Sequence, residues 1–202
     1  MNKFNEKSKA AYDKIADDYD NTPDGKFTRK FKTLLLSIIT LKDNDHVLDV
    51  ACGNGTLLAA MSKRKTIKGF GIDISERMIK NAAALNPGME FQAAGCEAIP
   101  FQNNTMDIIT VSAAYHHFPN VDAFAKEAKR LLKSSGKIYI ADVYLPLFLR
   151  IICNPLVPLM PAGDVKFYSP DEIINHFTQR YGFEKINIKI IVNIQIISMK
   201  KL

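Results

Sequence analysis

The spacing of apolar residues changes period several times along the chain, and each change marks a predicted element. Between residues 6 and 20 a polar stretch carries Tyr12, Ile15, Ala16 and Tyr19 at helical spacing, which predicts an amphipathic helix. The segment from Asn21 to Gly25 breaks it with proline and glycine. Phe27, Phe31, Leu34, Leu35, Ile38 and Ile39 then predict a second helix. His46 to Val50 is too short for a helix and rich in branched residues, so it reads as a buried strand. A helix over Thr56 to Lys63, a strand over Ile67 to Asp73, a helix capped by Ser75 and a strand over Met89 to Ala94 follow. Asp107 to Ser112 reads as the fourth strand. Val121, Phe124, Ala125, Ala128, Leu131 and Leu132 form the apolar face of a helix, Gly136 ends the turn after it, and Lys137 to Val143 is the fifth strand.

Strands alternating with helices at this spacing predict an α/β fold, with helices on both faces of a doubly wound, mostly parallel sheet. The tail is different. Ser169-Pro170-Asp171-Glu172 is a capping box with proline at the first helical position, and Gly182 stops the helix after Tyr181. Phe183 to Lys189 and Ile191 to Met199 are strands with almost no linker, so they must pair as an antiparallel hairpin. The sheet is then seven-stranded. The 202 residues fit one domain spanning 1–202, with an N-terminal helical cap over 1–42. An apolar, proline-interrupted insertion over 144–167 shows no period that its prolines would allow to persist. It reads as a lid: a cap on the core, an apolar wall for a substrate, or a face for a homodimer.

Ligands of such sheets bind outside the carboxyl ends of the strands. Those ends are Asp49 to Gly55, Asp73 to Ser75, Gly95 to Phe101, Ser112 to Phe118 and Asp142 to Tyr144. Nearly all the residues with candidate chemistry fall in these five places.

Composition narrows the classes. The chain is 47% hydrophobic and 24% charged, an ordinary globular mix. Its formal charge of +6, from 27 Lys plus Arg against 21 Asp plus Glu, is mildly basic. No basic run interleaved with aromatics appears, so a nucleic-acid partner is disfavoured. Three cysteines, Cys52, Cys96 and Cys153, are too widely spaced for a CxxC pair and read as reduced thiols of a cytoplasmic protein. The first residues, Met1 to Lys7, have no apolar core and read as no secretory leader. The most apolar stretch, Val143 to Gly163, holds Arg150 and four prolines and reads as no membrane span.

The run Asp49-Val50-Ala51-Cys52-Gly53-Asn54-Gly55 links a strand to a helix. Gly53 and Gly55 would let the backbone approach a ligand closely, and the helix start beyond them offers free N–H groups. Asp49 suits an ammonium or a water-mediated contact to one. Asp73, at the end of the second strand, can accept from both hydroxyls of a ribose. Turn and acid together point to an adenosine-type ligand; a tight turn and a helix cap are the plainer alternatives. A dinucleotide turn needs a third glycine where this chain has Leu58, which argues against NAD.

This pattern resembles motif I of the class I S-adenosylmethionine-dependent methyltransferases, with Ala51 where the first glycine usually stands. The similarity continues through Gly71-Ile72-Asp73-Ile74-Ser75, through Glu97-Ala98-Ile99-Pro100-Phe101, through the strand ending at His116-His117-Phe118-Pro119, and into the closing hairpin. The opening Tyr12-Asp13-x-x-Ala16-x-x-Tyr19-Asp20 is similar to that of the type 11, ubiquinone/menaquinone-biosynthesis-like subgroup. The resemblance implies a Rossmann-like methyltransferase fold. It also implies S-adenosyl-L-methionine as cofactor, S-adenosyl-L-homocysteine as product, and a small-molecule methyl acceptor reacting at O, N or C. It assigns the methionine part to Asp49, Ala51, Gly53 and Gly55, the ribose to Asp73 and adenine packing to Ile74. Gly95, Cys96 and Glu97 would face the adenine, Ser112 would border the site, and Tyr12 and Tyr19 could lie over the cofactor or serve as core anchors. Gly95 stands where the family usually has an aspartate that accepts from the adenine amino group. Backbone, water or Glu97 would have to replace it, and the loss of one hydrogen bond implies cofactor binding weaker by about tenfold at most.

Methyl transfer needs chiefly alignment, because the sulfonium methyl is already electrophilic. Should a base be required, His116 and His117 at the end of strand four are candidates, as is Asp142 at the end of strand five. Structural roles are the alternatives, and Tyr144 borders the same region. No metal cluster is evident from the spacing. A nicotinamide-dependent oxidoreductase and a non-catalytic binder of S-adenosylmethionine remain the competing readings.

Overall fold

A computed structural model describes residues 2–202; Met1 lies outside the described residues. Seven strands form one sheet in the order β3-β2-β1-β4-β5-β7-β6. The strands are β1 (His46–Val50), β2 (Lys68–Asp73), β3 (Glu90–Ala93), β4 (Met106–Ser112), β5 (Leu132–Val143), β6 (Phe183–Ile191) and β7 (Ile194–Lys201). The first five are parallel, and β7 runs antiparallel between β5 and β6. The chain order reverses between β1 and β4, so the crevice at their carboxyl ends is the expected place for a ligand.

The helices are α1 (Lys3–Ile15), α2 (Pro23–Ile38), α3 (Thr56–Ser62), α4 (Glu76–Leu85), α5 (Val121–Leu131), α6 (Leu147–Cys153) and α7 (Pro170–Tyr181). Side chains alternate across the sheet and build two cores. Val47, Ile108, Tyr139 and Ile196 pack with Phe31, Leu35, Leu57, Leu58 and Met61 from α2 and α3. Leu48, Val50, Ile109, Ile138 and Ile197 pack on the other face with Phe124 and Phe177 from α5 and α7. Leu58 is fully buried, so it serves packing at the position a dinucleotide turn would give to glycine.

Three details correct the sequence reading. The segment 21–25 is not wholly a break: Thr22 caps α2 by accepting from Gly25 N–H, with Pro23 at the first helical position. Strand β5 begins at Leu132 rather than Lys137. Its register against β4 shifts between Met106 and Ile108, and Ser135 has φ 63°, so the turn expected at Gly136 is an irregularity inside the strand. Ile191 ends β6 instead of opening β7, because the hairpin turns at Val192-Asn193.

The insertion also differs. Between Pro146 and Pro155 there is room for two turns, and 147–153 forms α6. Its apolar side chains do not wall the crevice. Leu147, Phe148, Ile151, Ile152, Leu156 and Leu159 are each 60% or more exposed. The return arm is pinned instead through backbone: Val165 N–H donates to the His116 carbonyl (2.8 Å), and the Asn154 side chain pairs with both backbone groups of Phe167.

Candidate active site

A cleft lies at the carboxyl ends of β1, β2 and β4. Its floor is the turn after β1. Ala51, Cys52 and Gly53 line it, together with Val50, Ile72, Asp73 and Ile74. The turn is held in a left-handed conformation at Ala51 (φ 58°), Gly53 (φ 53°) and Gly55 (φ 72°). A Cβ built on Gly53 meets nothing within 4 Å, so the space before this backbone is free for a ligand.

Gly55 departs from the expectation. It does not line the cleft, and a Cβ there would lie 2.7 Å from Asn86 Nδ2 and 3.0 Å from Ala82 Cβ. Its role is to start α3 while letting α3 approach α4. Asp49 also sits behind the lining rather than on it. It is fully buried, and its Oδ1 accepts from Thr110 Oγ1 at 2.7 Å. Burial raises its pKa to about 6, although Thr110 and the Lys32 charge oppose the shift.

Asp73 lies on the cleft wall and braces the turn. Its Oδ2 accepts from Gly53 N–H and its Oδ1 from Ser75 N–H, both at 2.9 Å. Burial raises its pKa, and these backbone bonds offset part of the rise. Ser75 caps α4 as expected, and its hydroxyl bonds Asp13 of α1 (2.5 Å).

Gly95, Cys96 and Ser112 line the cleft; Glu97 does not. Glu97 Oε2 lies 2.7 Å from where a Cβ on Gly95 would be. A carboxylate therefore stands close to the place that the usual aspartate side chain would take. Tyr12 and Tyr19 both line the cleft and meet edge-to-face at 5.9 Å, which makes them lining and core at once.

Of the three catalytic candidates, His117 reaches the cleft wall and His116 and Asp142 do not. Tyr12 Oη lies 3.2 Å from His117 Nε2. Burial and the neighbouring His116 push the His117 pKa well down, so its neutral form is favoured. Behind it, His116 Nδ1 is 2.6 Å from Asp142 Oδ1. Burial opposes a charge on His116, but Asp142 and Asp164 outweigh it and raise its pKa. Tyr144 stays off the wall and pairs through its backbone N–H with the Asn193 carbonyl.

Other lining residues escaped sequence reasoning. Asn5 and Ser8 come from α1, Thr28 and Lys32 from α2. Asn54 bridges the glycine turn to the Ala16 carbonyl and to Asp20 (2.9 and 3.0 Å). Asp164, from the return arm of the lid, stands 3.4 Å from His116 Nε2. Asn54 lies in the glycine turn itself; no local signal marks the others, because each is brought in by packing of the N-terminal helices or the lid.

The residues fit S-adenosylmethionine. An open approach over Gly53, an acid at the end of β2, and apolar Ile74 and Met78 beside it suit methionine, ribose and adenine in turn. Comparison with known proteins agrees. Residues 48–140 match the family model of a methyltransferase domain. The ubiquinone/menaquinone biosynthesis C-methyltransferase UbiE of Rickettsia felis is 29% identical over 176 residues, covering 72% of this chain and 71% of that protein. The demethylmenaquinone methyltransferase of Chlorobaculum parvum is 32% identical over 150 residues, covering 69% of this chain and 62% of its own length, less than two thirds. A chain from the Haloferax volcanii complex containing the Trm112 methyltransferase activator shares the fold, with a TM-score of 0.82 at 18% identity and 96% coverage of both chains. Fold, glycine turn and relatives converge on an S-adenosylmethionine-dependent methyltransferase similar to those of class I, with residues 48–140 matching the methyltransferase domain.

Proposed function

We propose that this protein moves the methyl group of S-adenosylmethionine to a carbon atom of a small apolar acceptor. The observation that carries the acceptor class is the β4 side of the cleft. Its wall there is Ala113, Ala114, Phe118 and Pro119, with Ser112 and His117 as the polar groups among them. Such a wall suits an apolar ring or chain with one polar atom to orient. The activities for which the two relatives are named, a C-methyltransferase and a demethylmenaquinone methyltransferase, support the same class and favour carbon over O or N.

The cofactor supplies an electrophilic methyl group on a sulfonium. The chain's own residues bind and align. Gly53 gives close approach, Asp49 balances an ammonium from behind the turn, and Asp73 accepts from the ribose while bracing the turn. Ile74 packs on the adenine, and Gly95, Cys96 and Glu97 border it. Ala51 and Ser112 complete the wall. Tyr12 and Tyr19 close the cleft from above and exclude water. The Tyr12 hydroxyl, paired with His117 Nε2 at 3.2 Å, orients the acceptor, with His116 and Asp142 as positioning residues behind His117. Alignment of this kind can supply about 7–11 kcal/mol of the barrier.

The test has two arms. Calorimetry should find S-adenosylhomocysteine bound, and Asp73→Asn should weaken it, since the amide cannot accept from both backbone donors and a ribose. Incubation with labelled cofactor should transfer methyl to carbon of apolar phenols or hydroquinones and not to peptides or oligonucleotides. Transfer to a macromolecule alone would refute the acceptor class. A second copy of the chain covering the exposed face of α6 is the partner the insertion supports, and light scattering of the native protein tests it. The three unpaired thiols favour a cytoplasmic location. Among the described residues no helix is long and apolar enough to cross a membrane.

A further inference from the structure

Behind the cleft wall, two imidazoles and a carboxylate converge although the chain brings them from distant segments. His116 Nε2 lies 3.4 Å and His117 Nδ1 3.7 Å from Asp164 Oδ1, and all three ligand atoms lie within 4.8 Å of one another. From these residues we propose a binding site for a divalent first-row transition ion, zinc(II) or iron(II), held by His116 Nε2, His117 Nδ1 and the Asp164 carboxylate.

Four observations carry it. Two nitrogens and an oxygen at about 2.0–2.2 Å from a tetrahedral ion sit about 3.4 Å apart, so the site needs shifts of a few tenths of an ångström to at most about 1.4 Å to close on one. Two histidines and one carboxylate, with positions left open, are a recurrent ligand set for such ions. Each imidazole has its other nitrogen engaged: His116 Nδ1 with Asp142 at 2.6 Å, His117 Nε2 with Tyr12 Oη at 3.2 Å. Such outer bonds fix the ring and the tautomer of a ligating histidine. Finally, one of the three ligand atoms, His117 Nδ1, and the second carboxylate oxygen, Asp164 Oδ2, are buried without a hydrogen bond, and Asp164 is only 6% exposed. Two buried carboxylates, Asp142 and Asp164, beside two neutral imidazoles are matched in charge by one divalent ion. An ion there would tie the return arm of the lid to the end of β4. The site depends neither on the acceptor nor on the cofactor.

The metal-free alternative is a protonated His116 held between Asp142 and Asp164. The test uses the whole chain, freed of metal with a chelator and dialysed against zinc(II), iron(II) or cobalt(II). One equivalent of ion should bind. The cobalt form should show d–d bands without a thiolate charge-transfer band, which separates this site from the cysteines. A hundredfold excess over Kd should raise Tm by about 5–10 °C. Asp164→Asn should weaken binding at least a hundredfold. Asp142→Asn, which leaves all three ligands, should weaken it by about ten- to a hundredfold. Binding of less than 0.2 equivalent at about 100 μM ion, or the same affinity in Asp164→Asn as in the parent, would overturn the proposal. So would a thiolate band.

Discussion

Replacing Gly53 by alanine adds one methyl group at a point where the protein itself has nothing within 4 Å. In the free protein the change acts through the backbone alone. Gly53 sits at φ 53°, and a left-handed conformation costs an L-residue about 1–2 kcal/mol. For a domain of this size that lowers Tm by about 2–8 °C. In the complex the same methyl group stands in the space through which the cofactor would approach the turn. Overpacking of one methylene-sized group costs about 1–3 kcal/mol, so Kd for S-adenosylhomocysteine should rise by about five- to 150-fold. Gly88→Ala is the control. Gly88 lies in the turn between α4 and β3 with φ 94°, and a Cβ there also meets nothing within 4 Å. It carries a comparable backbone penalty far from the cleft. Calorimetry and thermal melts on both variants separate the effects: similar losses of Tm, but loss of affinity in Gly53→Ala alone. Equal Kd in the two variants would refute the reading of Gly53 as the point of closest approach.

Three further outcomes follow from the same geometry. Gly55→Ala should cost more stability than Gly53→Ala, about 2–5 kcal/mol, because left-handed strain adds to displacement of Asn86 and Ala82; urea titration measures it. Glu97→Ala should lower the affinity for S-adenosylhomocysteine by about two- to tenfold. Gly95→Asp should displace the Glu97 carboxylate, and Gly95→Asp combined with Glu97→Ala should bind at least as tightly as the parent, as read by calorimetry. Asp49 gives a pH signature. Its folded pKa, about 6, lies above the usual 3.8, so its share of stability is full below about pH 4. As pH rises through 6 that share falls by about 3 kcal/mol. Asp49→Asn should flatten the decline in melts run across this range. Because an ammonium needs the carboxylate ionised, cofactor binding near pH 6 should release a proton, visible as a buffer-dependent binding enthalpy.

Local pattern in the chain set the order of strands and helices, because period two and period 3.6 are properties of neighbouring residues. β1 falls on the predicted residues, the Ser169 capping box closes as read, and the short link between β6 and β7 left no topology but an antiparallel pair. The glycine turn and Asp73 were legible for the same reason, since they lie at fixed offsets along one strand-turn-helix unit and the next strand. Contacts between distant segments were not legible. Asp73 bonds Gly53 across 20 residues, Asn54 reaches back to Ala16, and Asp164 meets His116 from the far end of an insertion. Nothing in the local sequence marks Asp164, because its neighbours carry no period that fixes the arm; its place depends on the backbone bond from Val165 to the His116 carbonyl. The same limit explains α6: its apolar residues read as a core cap, a substrate wall or a dimer face, and they turn outward. Local period decides which element forms and which faces are apolar. Packing decides which of those faces meet, and therefore which side chains share a site.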